Sequence, residues 1–155
     1  MKMNSNSSHL WRIGEILLQH NWIEWEQLRN ALMSQRESGE RIGSILVHMG
    51  AVTKERVARA VAEQHQKPFV DLHILNAQTD AIHRIPKRFV HQYQIMPLLV
   101  SDRTLLVAVS DPLDSWVEAE IARIAKCSDI KTVIACADTI QEAILEVYGR
   151  EGMAA

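Results

Sequence analysis

The chain has 155 residues, 47% of them hydrophobic, so it is long enough to bury a core. Its formal net charge of −2 argues against a nucleic-acid or general polyanion binder, because such proteins carry a strongly basic surface. No apolar run reaches the roughly 18 residues of a membrane-spanning helix, and Cys127 and Cys136 lack the spacing of a zinc site. We therefore expect a cytoplasmic chain with no metal, no cofactor and no direct membrane insertion.

Residues 12–35 and 41–64 carry one pattern written twice. At an offset of 29 residues the two segments are identical at eight of 24 positions, and each copy begins R-I-G-x-I-L and ends A-x-x-x-Q. Within each copy, apolar residues recur at i, i+3 and i+4 and are followed by a glutamine at i+7, which predicts one face of a helix. The residues of these two faces are Leu28, Ala31, Leu32 and Gln35, then Val57, Ala60, Val61 and Gln64.

The repeat predicts two small helix pairs, hence four short helices within residues 10–67, after a disordered tail at residues 1–9. Asn21 and Gly50 occupy equivalent breaks between helices, and both residue types tolerate the left-handed backbone that a helix end often needs. The four helices are predicted at His9 to His20, at Glu24 to Glu37, at Arg41 to Met49, and from an N-cap at Thr53 to about Gln66.

The periodicity changes after Pro68, which predicts a second subdomain over residues 68–149 and a loose tail over residues 150–155. Two apolar runs flank Ser101-Asp102-Arg103-Thr104 and predict a hairpin. The expected fold class is α+β, with about three strands and two to three helices in this small module. Its elements are a short helix near Lys87 to His91, strands at Met96 to Val100, Leu105 to Val109 and Lys131 to Ala135, and helices at Ser115 to Lys126 and Thr139 to Tyr148, the last with Ile140, Ala143, Ile144 and Val147 inward.

The doubled motif resembles the MshEN domain, the N-terminal region of ATPases of type II secretion and type IV pilus machines. The resemblance continues through Lys67 to Leu72, Ile95 to Leu98, Ser110 to Asp114 and Val147 to Gly149. Members of that family that bind cyclic di-GMP do so with the tandem motif, each copy holding one half of the dinucleotide. The resemblance thus implies a cyclic di-GMP site on the repeat.

The resemblance also implies roles for particular residues. The arginines would stack on or hydrogen-bond guanine, the glycines would let the ligand approach the backbone, and the glutamines would give directional hydrogen bonds. Asp111, the first aspartate of the D-P-L-D segment, would reach the ligand from the second subdomain. The implied ligand-binding residues are Arg12, Ile13, Gly14, Leu28, Leu32 and Gln35, their counterparts Arg41, Ile42, Gly43, Val57, Val61 and Gln64, and Asp111.

No G-x-x-x-x-G-K-[ST] loop occurs, so we expect a regulatory module rather than an enzyme, acting on an attached effector or an effector protein of a secretion or pilus machine. Two alternatives remain open. The first is a docking domain that engages an inner-membrane partner without nucleotide, through exposed Trp22 and Trp25. The second is a structural domain whose arginines pair with acidic neighbours.

Overall fold

The computed structural model describes residues 12–149 and divides into two compact units, Met1–Gln66 and Lys67–Ala155. The tails predicted at residues 1–9 and 150–155 lie outside the described residues. The α+β class is confirmed, with four helices followed by a small module built on a three-stranded sheet. The helices of the first unit are α1 (Ile13–Gln19), α2 (Trp25–Ser38), α3 (Ile42–His48) and α4 (Lys54–Gln64).

The first and third helices begin later than the sequence predicts. The sequence predicts Arg12 and Arg41 inside these helices, but both have extended backbone. Their φ and ψ are −68° and 150° for Arg12 and −67° and 140° for Arg41. Each is the N-cap residue, whose carbonyl accepts the first helical bond while its own backbone stays outside the helix. Thr53, by contrast, is confirmed as the N-cap of α4, because its hydroxyl accepts a hydrogen bond from the Arg56 backbone N–H at 3.2 Å.

The two breaks between helices have the left-handed conformation that the sequence predicts. Asn21 has φ of 59° and Gly50 has φ of 75°. Their backbone N–H groups donate to the carbonyls of Leu18 and Val47, each at 2.9 Å. The two copies therefore turn in the same way, although one uses asparagine and the other glycine.

Gly50→Ala is expected to lower the free energy of unfolding by about 1 kcal/mol, because a side chain is strained at positive φ. No atom lies within 4 Å of the position its Cβ would take, so the loss would be conformational and not steric. Asn21→Gly is the matched control and should be close to neutral, since that change removes a small strain. Urea unfolding of both variants measures the difference, and a Gly50→Ala variant as stable as the original chain would contradict the argument.

The core of the first unit is shared between the two copies. Its most buried large side chains are Leu17 and Leu46, which occupy equivalent positions in α1 and α3. Helix α1 packs mainly against α4, α2 packs against α3, and α1 also contacts α3. A two-fold rotation that exchanges the copies would convert the contact between α1 and α4 into that between α2 and α3. It would leave the contact between α1 and α3 unchanged. The helices are thus arranged as a pseudo-symmetric pair and not as a linear stack.

The second unit is a three-stranded sheet with helices. Strands β1 and β2 are antiparallel, whereas β2 and β3 are parallel and are connected through a helix, as parallel neighbours require. Asp102 and Arg103, both at positive φ, form the two-residue turn between β1 and β2 and confirm the predicted hairpin. The elements are α5 (Thr79–Arg84), α6 (Lys87–Tyr93), β1 (Met96–Ser101), β2 (Thr104–Val109), α7 (Ser115–Ala125), β3 (Asp129–Ile134) and α8 (Ala137–Tyr148).

Two details of the second unit differ from the sequence prediction. Helix α5 was not predicted, because its six residues are too few to show a clear periodicity. Val147 was predicted to face inward, but it is 39% exposed near the end of α8. The neighbouring Tyr148 anchors that end instead, since its hydroxyl donates to the carbonyl of Ile82 at 2.7 Å and burial raises its pKa above the usual value. Within residues 12–149, no helix combines the length and the apolar character that crossing a bilayer requires.

Candidate functional site

Two exposed arginines stand at equivalent places in the repeat. Arg12 is the N-cap of α1 and Arg41 is the N-cap of α3, and neither side chain caps its own helix. A guanidinium is planar, always charged and able to give two parallel hydrogen bonds, so it suits a ligand with planar bases or phosphates. The pseudo-symmetry of the four helices gives each copy one such group.

Glycine at the second position of α1 and α3 is required by packing inside the unit. A Cβ added to Gly14 would lie 2.6 Å from Cδ1 of Leu28, and one added to Gly43 would lie 2.8 Å from Cγ1 of Val57. Both distances are shorter than real contacts. The sequence indicated a close approach of backbone or ligand at these glycines, and the close neighbour is an aliphatic side chain of the next helix. This contact fixes each R-I-G segment against the second helix of its own copy, α2 or α4.

The aliphatic residues of the predicted site fall into two groups. Leu28 is buried in the core, and Val57, Ile13 and Ile42 pack against that core from partly buried positions. Leu32 is 37% exposed, whereas Val61 is partly buried like Val57, although it is not part of that core packing. Among the aliphatic residues of the predicted site, Leu32 therefore offers the most accessible apolar surface.

Gln35 has a structural contact that the sequence did not predict. Its side-chain Nε2 donates to the carbonyl of Glu40 at 3.1 Å. Glu40 is the last residue of the spacer between the copies and immediately precedes Arg41. This bond therefore fixes the spacer next to the second arginine. Gln64, the equivalent residue, is half-buried at the end of α4 and also makes a contact of its own. A role in ligand binding would come in addition to these contacts.

The structure corrects the prediction that both Trp22 and Trp25 are exposed. Trp22 is partly buried against the core, stacks on His20 with ring centroids 4.4 Å apart, and lies 5.4 Å below the guanidinium of Arg56. Trp25, at the first position of α2, is 63% exposed. Of the two ring contacts of Trp22, only that with Arg56 comes from a residue distant in sequence, and both form at a helix break, where periodicity gives no signal.

Asp111 belongs to the second unit, just after β2. It is partly buried and has an interaction partner of its own. The structure thus brings twelve of the predicted site residues into the first unit and places Asp111 in the other. Within residues 12–149, no group of three His, Cys, Asp or Glu side chains is placed to hold a metal ion.

Comparison with known proteins identifies relatives over most of the chain. The model of the MshEN domain matches residues 65–154. The type IV pilus assembly ATPase PilB of Myxococcus xanthus (strain DK1622) is 30% identical over 141 residues, which cover 91% of this chain and 25% of the relative. Bacteriophage adsorption protein B of Escherichia coli (strain K12) is 29% identical over 111 residues, which cover 72% of this chain and 15% of the relative. The chain thus spans a quarter or less of the length of these relatives.

A solved structure of similar fold is described as MshE with cdg. It matches with a TM-score of 0.76 and 24% sequence identity, over 89% of this chain and 99% of that one. The likeness covers both units and shows that they share the fold of that protein.

Proposed function

Because the chain belongs to the MshEN domain family, we propose that it is a cyclic di-GMP-binding regulatory module that controls an attached or partner effector. The main observation in support of this proposal is the pair of R-I-G segments at the starts of α1 and α3, each with an exposed arginine. Cyclic di-GMP has two guanines and two phosphates related by two-fold symmetry. A pseudo-symmetric protein offers such a ligand two similar half-sites.

The residue types of the two half-sites suit such a ligand. In each copy the arginine would bind a guanine or a phosphate, while Leu32 or Val61 would supply apolar surface. Once one half of the ligand is bound, the second half meets its site at a high effective concentration. Two half-sites of low affinity can therefore bind the whole ligand with high affinity. The solved structure described as MshE with cdg, which we take to mean cyclic di-GMP, supports the choice of ligand.

The effector is proposed from the relatives. The PilB relative is a pilus assembly ATPase, whereas the adsorption protein B relative is not named as an ATPase. The effector is therefore not restricted to one kind of protein by these relatives. We propose that the module has no catalytic step of its own and transmits ligand occupancy to the protein that carries or binds it.

Titration calorimetry with cyclic di-GMP tests the proposal, with GMP and ATP as controls. We expect a one-to-one complex with cyclic di-GMP and no measurable heat with the controls. Ligand at a hundred times the dissociation constant should stabilise the fold by about 2.7 kcal/mol, which a thermal melt detects. An absence of binding at tens of micromolar ligand would reject the proposal and favour the docking alternative, for which exposed Trp25 is the supporting observation.

Asp111→Ala tests the proposed contribution of the second unit. If the Asp111 carboxylate accepts hydrogen bonds from guanine, its loss should weaken binding by about 1–3 kcal/mol, the scale for a polar group left without its partner. Asp114→Ala, three residues away and exposed, is the matched control and should bind normally. Calorimetry measures both, and an unchanged affinity of the Asp111 variant would restrict the site to the repeat.

A further inference from the structure

Helix α2 has an exposed basic and apolar face that the repeat does not require. Trp25, Arg29, Met33 and Arg36 lie at i, i+4, i+8 and i+11, within one side of the helix, and we name this set the α2 stripe. Trp25 is 63% exposed and Met33 is 61% exposed, while both arginines are exposed. The stripe therefore presents two large apolar side chains together with two positive charges.

The second copy lacks this face. Its residues equivalent to Arg29 and Met33 are Ala58 and Ala62, and both alanines are buried, with exposed fractions of 8% and 3%. If the stripe served only the internal packing of the repeat, the two copies would carry similar residues there. The first copy instead places long side chains at positions where the second needs small ones, which indicates a separate role for the stripe.

The second unit contains a groove of opposite charge. A cavity of about 450 Å³ lies between the loop of residues 72–77 and α8, and its floor includes Met96 and Leu98 of β1. Glu142 and Glu146, one turn apart on α8, line it together with apolar Val147. We name this cavity the acidic groove. It combines an apolar floor with two exposed carboxylates.

We propose that the α2 stripe of one molecule docks into the acidic groove of a second copy of this chain. Arg29 and Arg36 would meet Glu142 and Glu146, and Trp25 or Met33 would enter the apolar part of the groove. The charged pairs are about 10 Å apart along α2 for Arg29 and Arg36 and about 6 Å apart along α8 for Glu142 and Glu146, a difference that the long arginine side chains can span. Buried aromatic anchors flanked by opposite charges are typical of energetically important interface residues.

The contact joins two different surfaces, so a pair of molecules still has one free stripe and one free groove. Association would therefore proceed head to tail and give closed rings or open chains. Because the charged groups are exposed, the association should weaken as salt is added. This proposal is independent of cyclic di-GMP and concerns the unliganded chain.

Charge reversal tests the pairing. Sedimentation velocity of the complete chain at low salt, over a range up to several hundred micromolar, should show concentration-dependent association. Arg29→Glu/Arg36→Glu and Glu142→Arg/Glu146→Arg should each weaken association at least tenfold and remain folded by circular dichroism, since all four side chains are exposed. Arg88→Glu/Lys131→Glu changes the charge equally at exposed positions of the second unit and should associate normally.

Mixing gives the decisive measurement. In an equimolar mixture of the two reversed variants, the acidic stripe of one faces the basic groove of the other, and the original stripe faces the original groove. Association should therefore return in the mixture while each variant alone stays monomeric. A monomer at every concentration of the original chain, association that survives either reversal, or a mixture that stays monomeric would overturn the proposal.

Discussion

Arg12→Ala and Arg41→Ala are each expected to weaken cyclic di-GMP binding at least tenfold, and the double variant should show no detectable binding. Hydrogen bonds to a charged group are worth about 1.5–3 kcal/mol, and each arginine would supply at least one such bond to its half of the ligand. Losing one half-site also removes the advantage of binding the second half at high effective concentration. Titration calorimetry of the three variants measures the effect.

The stability of the unliganded chain separates ligand binding from a structural role. Both arginines are exposed, so each substitution should change the free energy of unfolding by no more than about 1 kcal/mol, the scale of a surface ion pair. Lys131→Ala, at an exposed position of the second unit, should bind and unfold like the original chain. Normal affinity in Arg12→Ala and Arg41→Ala would show that neither arginine binds the ligand. The assignment of the repeat to cyclic di-GMP would then be wrong.

Gly43→Ala is expected to lower the free energy of unfolding by about 1–3 kcal/mol, the usual cost of overpacking a core. The added Cβ would lie 2.8 Å from Cγ1 of Val57, and a β-branched side chain in a helix has a single strongly preferred rotamer. The higher helix propensity of alanine offsets part of this cost. Gly14→Ala should lose less, because its close neighbour is the flexible end of Leu28.

A double-mutant cycle isolates the contact. Val57→Ala removes the crowding atom, so Gly43→Ala should cost less in the Val57→Ala background than in the original chain. Ser44→Ala, at the next and exposed position of α3, is the control for helix propensity and should be nearly neutral. Urea unfolding measures all four variants. Additive effects of Gly43→Ala and Val57→Ala would mean that the glycine is not needed for this packing.

Periodicity and local chemistry predicted most of the helices and strands because their signals are short-range. The repeat gave the four helices, and Thr53 could be identified as an N-cap from residue type and position alone. The family is confirmed, although its model matches residues 65–154, where the motifs are individually weaker than the repeat. The relative that is aligned over 91% of the chain extends the relationship into the repeat.

Contacts between distant residues were not predictable in the same way. Trp22 packs against the core and lies under the guanidinium of Arg56, and its position at a helix break gave no indication of either contact. The two glycines are predicted from the sequence to be approached by backbone or ligand, whereas the structure shows that the approaching groups are the side chains of Leu28 and Val57. The roles of the thirteen predicted ligand-binding residues stay predictions, to be decided by the binding experiments.

The pairing of α1 with α4 and of α2 with α3 has a consequence for the origin of the repeat. Each copy completes its hydrophobic core with the other copy, much as two identical subunits do in a symmetric dimer. An ancestral chain with one copy could have buried the same surface by pairing with a second copy of itself. Duplication and fusion would then have freed each half to diverge, as Asn21 and Gly50 have, while the glycines that allow close packing stayed the same in both.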